Sequence, residues 1–155
     1  MSAADRHAAH RQRCLSVATD CTGHGLRKAA RAVSRIYDEA MAPGGLRGTQ
    51  FNLLVALSLA PEAPLAKIAD ELGLDRTTLT RNLGPLERDG LVESVPRDDR
   101  RVRGLRLTAR GHEVLADALP LWERAHRQVV AAMGKDRWRE LMDGLRAAAG
   151  LPDRM

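Results

Sequence analysis

At 155 residues the chain is long enough for one domain with a modest hydrophobic core. Its formal net charge of +5 favours a polyanionic partner without naming one, and two cysteines exclude a disulfide framework. No window reaches the roughly 18 continuous apolar residues of a membrane span and no signal-peptide pattern opens the chain, so the expectation is a soluble cytoplasmic protein with no membrane partner.

Residues 1–20, with Arg6, His7, His10, Arg11 and Arg13, read as a mobile N-terminal arm, and residues 21–155 as a single domain. From about Gly25 to Met41, Leu26, Ala29, Ala30, Val33, Ile36, Tyr37 and Ala40 form one apolar helical stripe. Pro43-Gly44-Gly45 ends it, Thr49 to Leu59 reads as a buried helix, and Pro61 and Pro64 bracket a short loop. Leu65, Ile68, Ala69 and Leu72 then share one face of a short helix that Gly73 stops, with Leu74 plugging the corner. Asp75 is suited to cap the next helix, because its carboxylate can accept the N–H groups of residues 77 and 78. That helix buries Leu79, Leu83 and Leu86, turns Arg76, Thr77, Thr78, Arg81 and Asn82 outward, and closes on Gly90. Two alternating segments, Leu91–Val95 and Gly104–Thr108, flank an arginine-rich tip. Gly111 to about Met133 reads as a long helix with a kink or break at Pro120, and Gly134 separates a last helix containing Trp138, Leu141, Met142 and Leu145. The fold class is therefore mainly α with a small β-hairpin wing: a winged helix-turn-helix over about 49–108, between helices at about 24–41 and 111–149.

The outward chemistry of this unit suits double-stranded DNA. The second helix of a helix-turn-helix fits the major groove, where arginine and asparagine can make bidentate contacts to guanine and adenine edges. Threonine can meet a phosphate or a thymine methyl. The hairpin tip sets Arg97, Arg100, Arg101 and Arg103 against only Asp98 and Asp99, and guanidinium groups on a thin ribbon can enter a narrow minor groove. A solvated charged loop beside a helix that merely meets water is the plainer alternative. The ordered run of helix, glycine turn, capped helix, glycine stop and basic wing favours DNA.

Three stretches carry a resemblance to a known family. Asp99-Arg100-Arg101-Val102-Arg103-Gly104-Leu105-Arg106-Leu107-Thr108-Ala109-Arg110-Gly111 resembles the wing of the multiple-antibiotic-resistance regulator (MarR) family of bacterial transcription factors. Leu74 to Leu83 is similar to that family's recognition helix, and Gly48-Thr49-Gln50-Phe51-Asn52-Leu53-Leu54 to the entry of its second helix. The resemblance spans about 21–149 and implies a homodimer that binds a palindromic operator as a repressor. It also implies that the helix from about Asp75 to Asp89 lies in the major groove, that Arg101 reaches the minor groove, and that Asp99 braces the wing. The residues point the same way. The terminal helices leave more apolar surface than one winged unit can cover, which a second copy related by a two-fold axis would bury. An intramolecular bundle in a monomer is the alternative.

The effector is less clearly written. Cys14, Cys21 and His24 gather at the entrance to the first long helix, where helix N–H groups favour a thiolate and hence oxidation. In some members of the family a cysteine near that place senses oxidants, and Cys21 falls roughly there. A small hydrophobe without a signalling role fits Cys21 as well. Ligation of a soft metal by Cys14, Cys21 and a histidine matches no strong zinc spacing, so neither metal nor cofactor is expected. Many relatives bind small aromatic or phenolic anions between the helical region and the winged unit, and His24, Arg27, Arg31, Tyr37 and Phe51 are candidate walls, each also readable as a salt-bridging or core residue. With two tryptophans, one tyrosine and one phenylalanine, the chain is poor in stacking partners. Two readings of other classes stand beside the regulator: a thiol- or metal-dependent enzyme using Cys14 and Cys21, and a winged-helix module for protein or RNA. The first lacks a supporting carboxylate pair or phosphate-cradling loop, so an enzyme is not expected.

Overall fold

Among residues 3–96 and 104–150, which the computed structural model describes, apolar periodicity becomes seven helices and one short hairpin. In chain order these are α1 (Ala3–Asp20), α2 (Thr22–Met41), a 3-10 turn (Ala42–Gly44), α3 (Gly48–Leu59), α4 (Leu65–Glu71), α5 (Arg76–Arg88), β1 (Val92–Val95), β2 (Gly104–Leu107), α6 (Ala109–Met133) and α7 (Lys135–Ala149). The fold class read from the sequence is the one observed. The wing tip, with Arg97, Asp99, Arg100, Arg101 and Arg103, lies outside the described residues.

The core is assembled around α3, which is apolar on most sides and buries Phe51, Leu53, Leu54, Ala56 and Leu57. Around it α4 supplies Ile68 and Ala69, α5 supplies Leu79, Leu83 and Leu86, and β2 supplies Leu105 and Leu107. Met41 closes the core from the end of α2. Both helices of the helix-turn-helix end in the same way. Gly73 and Gly90 take left-handed φ values of 60° and 68°, and the next N–H, of Leu74 or Leu91, reaches back to the Ala69 or Leu86 carbonyl at 2.9 Å. This is the Schellman arrangement: glycine takes positive φ without a Cβ penalty while orphan carbonyls are satisfied.

The hairpin pairs Val92 with Leu107 and Val95 with Gly104 in antiparallel register. A third segment leans on it. The Glu62 N–H donates to the Leu105 carbonyl at 2.8 Å, and Pro64 forms an isolated bridge with Gly104. Arg106 bonds Glu93 at 2.7 Å and lies 3.7 Å from Glu62, tying the strand to that loop. The Thr108 hydroxyl caps α6 by accepting the Gly111 N–H at 3.0 Å and itself donates to the Gly90 carbonyl at 2.6 Å.

Three expectations change. The segment read as a mobile arm is helical as α1, because Ala3–Asp20 holds no glycine or proline and is rich in alanine and arginine, strong helix formers. It contacts α2, and its described side chains are exposed. The second change is that α6 begins at Ala109 rather than Gly111, since the Thr108 cap was passed over. The third is that α6 is not broken at Pro120. The carbonyl of Ala116, which loses its helical donor there, is on an exposed residue where water can replace the bond. Likewise, α5 runs through Pro85.

Gly111 is the tightest point: a Cβ there would collide with the Leu91 carbonyl. We expect Gly111→Ala to lower unfolding free energy by about 1–3 kcal/mol in denaturant titration, as overpacking does. Gly84→Ala, at a helical site with nothing within 4 Å, should instead raise it by about 0.5–1 kcal/mol.

Candidate nucleic-acid interface

The outward face of α5 is set by its first turn. Asp75 sits at the cap in extended backbone, and its carboxylate accepts the Thr78 N–H at 2.9 Å and the Thr78 hydroxyl at 2.6 Å. These bonds hold the Asp75 carboxyl below the usual carboxylate range, the Thr78 hydroxyl being the largest cause. Thr78 and Asn82, both expected to face outward, are half-buried and engaged within the chain. The Asn82 amide nitrogen donates to the Thr78 carbonyl at 3.1 Å, while its oxygen accepts the Thr49 hydroxyl at 3.2 Å. That second bond ties α5 to the start of α3.

What remains on the surface is a compact set. Arg76, Thr77, Thr80 and Arg81 are exposed, and the Thr80 hydroxyl donates to the Arg76 carbonyl at 2.8 Å. Neither arginine forms an ion pair with a carboxylate among the described residues. An unpaired guanidinium carries five donors and no acceptor, which fits it to purine edges or phosphate oxygens. Thr80 went unnoticed in the sequence although it stands four residues after Arg76, a spacing that shares a helix face.

Beside α5 lies a cleft of about 510 Å³, lined in part by Leu46, Arg47, Gln50, Arg81, Asn82 and Pro85. A neighbouring cleft of about 400 Å³ shares Gly45, Leu46 and Gln50 with it and adds Arg88, Asp89 and Arg110. Arg47 and Arg81 are 34 positions apart in sequence, so no local pattern could have joined them.

The candidate effector residues divide. Tyr37 and Phe51 reach the same aromatic group from α2 and α3. The Tyr37 hydroxyl lies 3.2 Å from His126 Nδ1, and Phe51 stacks near Trp122 with centroids 6.4 Å apart. Trp122 stacks on His126 at 4.9 Å, and His126 meets the edge of Trp138 at 5.5 Å. Partial burial raises the Tyr37 phenol above its ordinary value. His24, Arg27 and Arg31 stay exposed on α2. The i, i+4 spacing of Trp122 and His126 on one helix was a legible sign of this cluster that went unread. Both thiols are exposed: Cys21 caps α2 without a side-chain bond, and Cys14 lies 3.5 Å from His10 on α1. No group of three or more His, Cys, Asp or Glu among the described residues could hold a metal.

The model of the MarR family matches residues 44–101, from the turn before α3 through α4, α5 and β1 into the wing. The M. tuberculosis transcriptional regulator MosR is 36% identical, with a TM-score of 0.74 over 85% of this chain and 97% of that one. The chain belongs to the MarR family. MosR in complex with DNA matches at 37% identity and a TM-score of 0.73, over 83% of this chain and 96% of that one. The transcriptional repressor CouR, bound to a 23-mer DNA duplex, matches at 28% identity and a TM-score of 0.78, covering 87% and 96%. The HTH-type transcriptional regulator BilQ of Clostridioides difficile (strain CD3) is 24% identical over 109 residues, 70% of this chain and 74% of BilQ.

In this MarR-family chain the Asp75 cap orders the first turn of α5. Its folded-state pKa is depressed, so the stability it contributes is full above the unfolded carboxylate value and is lost as pH falls through the lower folded value. Asp75→Ala should therefore melt below wild type at neutral pH, and the two should converge as pH falls from the ordinary aspartate value of about 3.9 to below it. Thermal melts of both proteins across that range check it.

Proposed function

We propose that the chain is a cytoplasmic, sequence-specific transcriptional repressor that binds a pseudo-palindromic operator as a homodimer and is released by a small molecule or an oxidant. The observation that carries this reading is the exposed face of α5, where Arg76, Thr77, Thr80 and Arg81 are free of described carboxylates above a fully buried inner face. Laid in the major groove, Arg81 and Arg76 address guanine edges and the threonines address phosphate or thymine methyls. Thr78 and Asn82 act there by holding the helix against its cap and α3. Within the wing, Arg101 is assigned to the minor groove with Asp99 bracing it, and Arg97, Arg100 and Arg103 add to the basic tip that favours DNA. The DNA complexes of MosR and CouR support this reading. No enzymatic activity is proposed.

The dimer rests on apolar surface that one chain leaves open. Leu26, Val33 and Ile36 of α2 are 38%, 37% and 42% exposed, and α7 buries no side chain although Leu141 and Leu145 lie along it. Faces of this kind are covered by self-association, and a two-fold pair gives two copies of α5 for two half-sites. An effector releases the operator by favouring a dimer in which the two α5 helices are wrongly spaced. The aromatic group around His126 joins α2, α3, α6 and α7, and this supports the reading that a molecule bound beside Tyr37 and Phe51 acts on both halves of the fold. The complex of CouR with p-coumaroyl-CoA supports a small-molecule effector. Cys21, exposed at the start of α2, favours the oxidant as a second route.

Sedimentation at micromolar concentration should give a dimer, and the operator should have half-site centres about one helical turn, roughly 10 bp, apart. Arg81→Ala should lose about 1–3 kcal/mol on the correct operator and relax its sequence preference. A monomer that binds a single half-site with full affinity would remove the reading. Undiminished binding after neutralising both Arg81 and Arg101 would point to a protein or RNA module.

Peroxide should weaken operator binding in wild type but not in Cys21→Ser, and a thiol reductant should restore it. An equal response in both proteins removes Cys21 as the sensing thiol, and no response in either leaves the small-molecule route.

A further inference from the structure

The cleft between the start of α3 and α5 holds a cation that the reading of α5 leaves unused. Arg47 immediately precedes α3, is exposed, and forms no ion pair with a carboxylate among the described residues. Two N–H groups at the helix end beside it already have acceptors. The Arg47 N–H donates to Gln50 Oε1 at 2.9 Å, and the Gly48 N–H donates to Asp38 Oδ1 at 2.7 Å. The Arg47 guanidinium has donors to spare, as has the amide nitrogen of Gln50, whose oxygen is used by the Arg47 N–H. Arg81 lines the same cleft from α5, and the Thr49–Asn82 bond at 3.2 Å holds the two walls together. Arg47 is therefore fixed alongside α5.

That position has a consequence on DNA. A helix with its side chains is about 10–12 Å across and fills a major groove about 12 Å wide, so a cation alongside it meets the sugar–phosphate wall. We propose that this cleft seats one backbone phosphate of the DNA per protomer, bonded by the Arg47 guanidinium and the Gln50 amide. The proposal rests on the DNA-binding reading of α5. Arg47 contributes affinity and register without reading sequence, in contrast to Arg81. The adjoining cleft is a weaker anion seat, because Asp89 stands beside Arg88 and Arg110.

The test compares full-length wild type, Arg47→Gln, Arg47→Lys and Arg110→Gln on the operator and on a random-sequence duplex, by anisotropy from about 50 to 200 mM salt. Arg47→Gln should weaken binding to both duplexes by the same factor and flatten the salt slope by about two per dimer. The wild-type affinity would then fall on the order of tenfold more than the variant's over that salt range. Arg47→Lys should keep most of the wild-type slope, and Arg110→Gln, which removes the same charge, should change it less than Arg47→Gln does. A wild-type slope in Arg47→Gln overturns the proposal, as does an equal flattening in Arg110→Gln or a loss of sequence preference in Arg47→Gln. If wild type binds neither duplex, it is the DNA-binding reading that fails.

Discussion

The geometry of this protein depends on how closely the turn after α5 docks on the start of α6. The Leu91 carbonyl accepts the Thr108 N–H at 3.0 Å, the Gly90 carbonyl accepts the Thr108 hydroxyl at 2.6 Å, and Gly111 has no Cβ to hold the chains apart. Leu91 is also the residue whose N–H closes the Schellman turn on Leu86. One residue therefore anchors the end of α5, the root of the hairpin and the first turn of the longest helix. Since α6 carries Trp122 and His126, the orientation of α5 is linked through a few short contacts to the region where α2, α6 and α7 meet.

The helix-turn-helix uses its polar side chains in two ways. Asp75, Thr78, Asn82 and Thr49 form a continuous run of hydrogen bonds that fixes α5 to its own cap and to α3. Arg76, Arg81 and Arg47 are left outside that run, with charge not offset by a described carboxylate. A polar frame that presents unpaired guanidinium groups suits a polyanion: the frame sets the register and the forks bond phosphate oxygens or base edges. By contrast, Arg106 is spent internally, on Glu93 and Glu62, and steadies the hairpin.

The helical ends have a different character. The core around α3 is closed by aliphatic side chains, whereas α2, α6 and α7 meet through Tyr37, Trp122, His126 and Trp138 and leave Leu26, Val33, Ile36, Leu141 and Leu145 open. The fold thus joins an aliphatic core around α3 to an aromatic junction among α2, α6 and α7.

The sequence by itself determined the local devices. Leu65, Ile68, Ala69 and Leu72 share a helix face by spacing alone, Asp75 caps because aspartate before a helix has few better partners than the helix N–H groups, and Gly73 and Gly90 stop helices because they accept positive φ. The hairpin and the basic content of its tip were legible for the same reason, since alternation and turn residues act over a few positions. The helix at Ala3–Asp20 was misread because weak amphipathicity and scattered charge hid a run of good helix formers, and the break at Pro120 because water can take an exposed carbonyl. Only the tertiary structure decided which polar residues of α5 stay free. Asn82 and Thr78 look outward by periodicity, yet Thr49, 33 positions before Asn82, draws that side chain inward, and Arg47 comes to stand beside Arg81. Such pairings depend on how α3 packs against α5, a contact that the pattern along either helix does not contain.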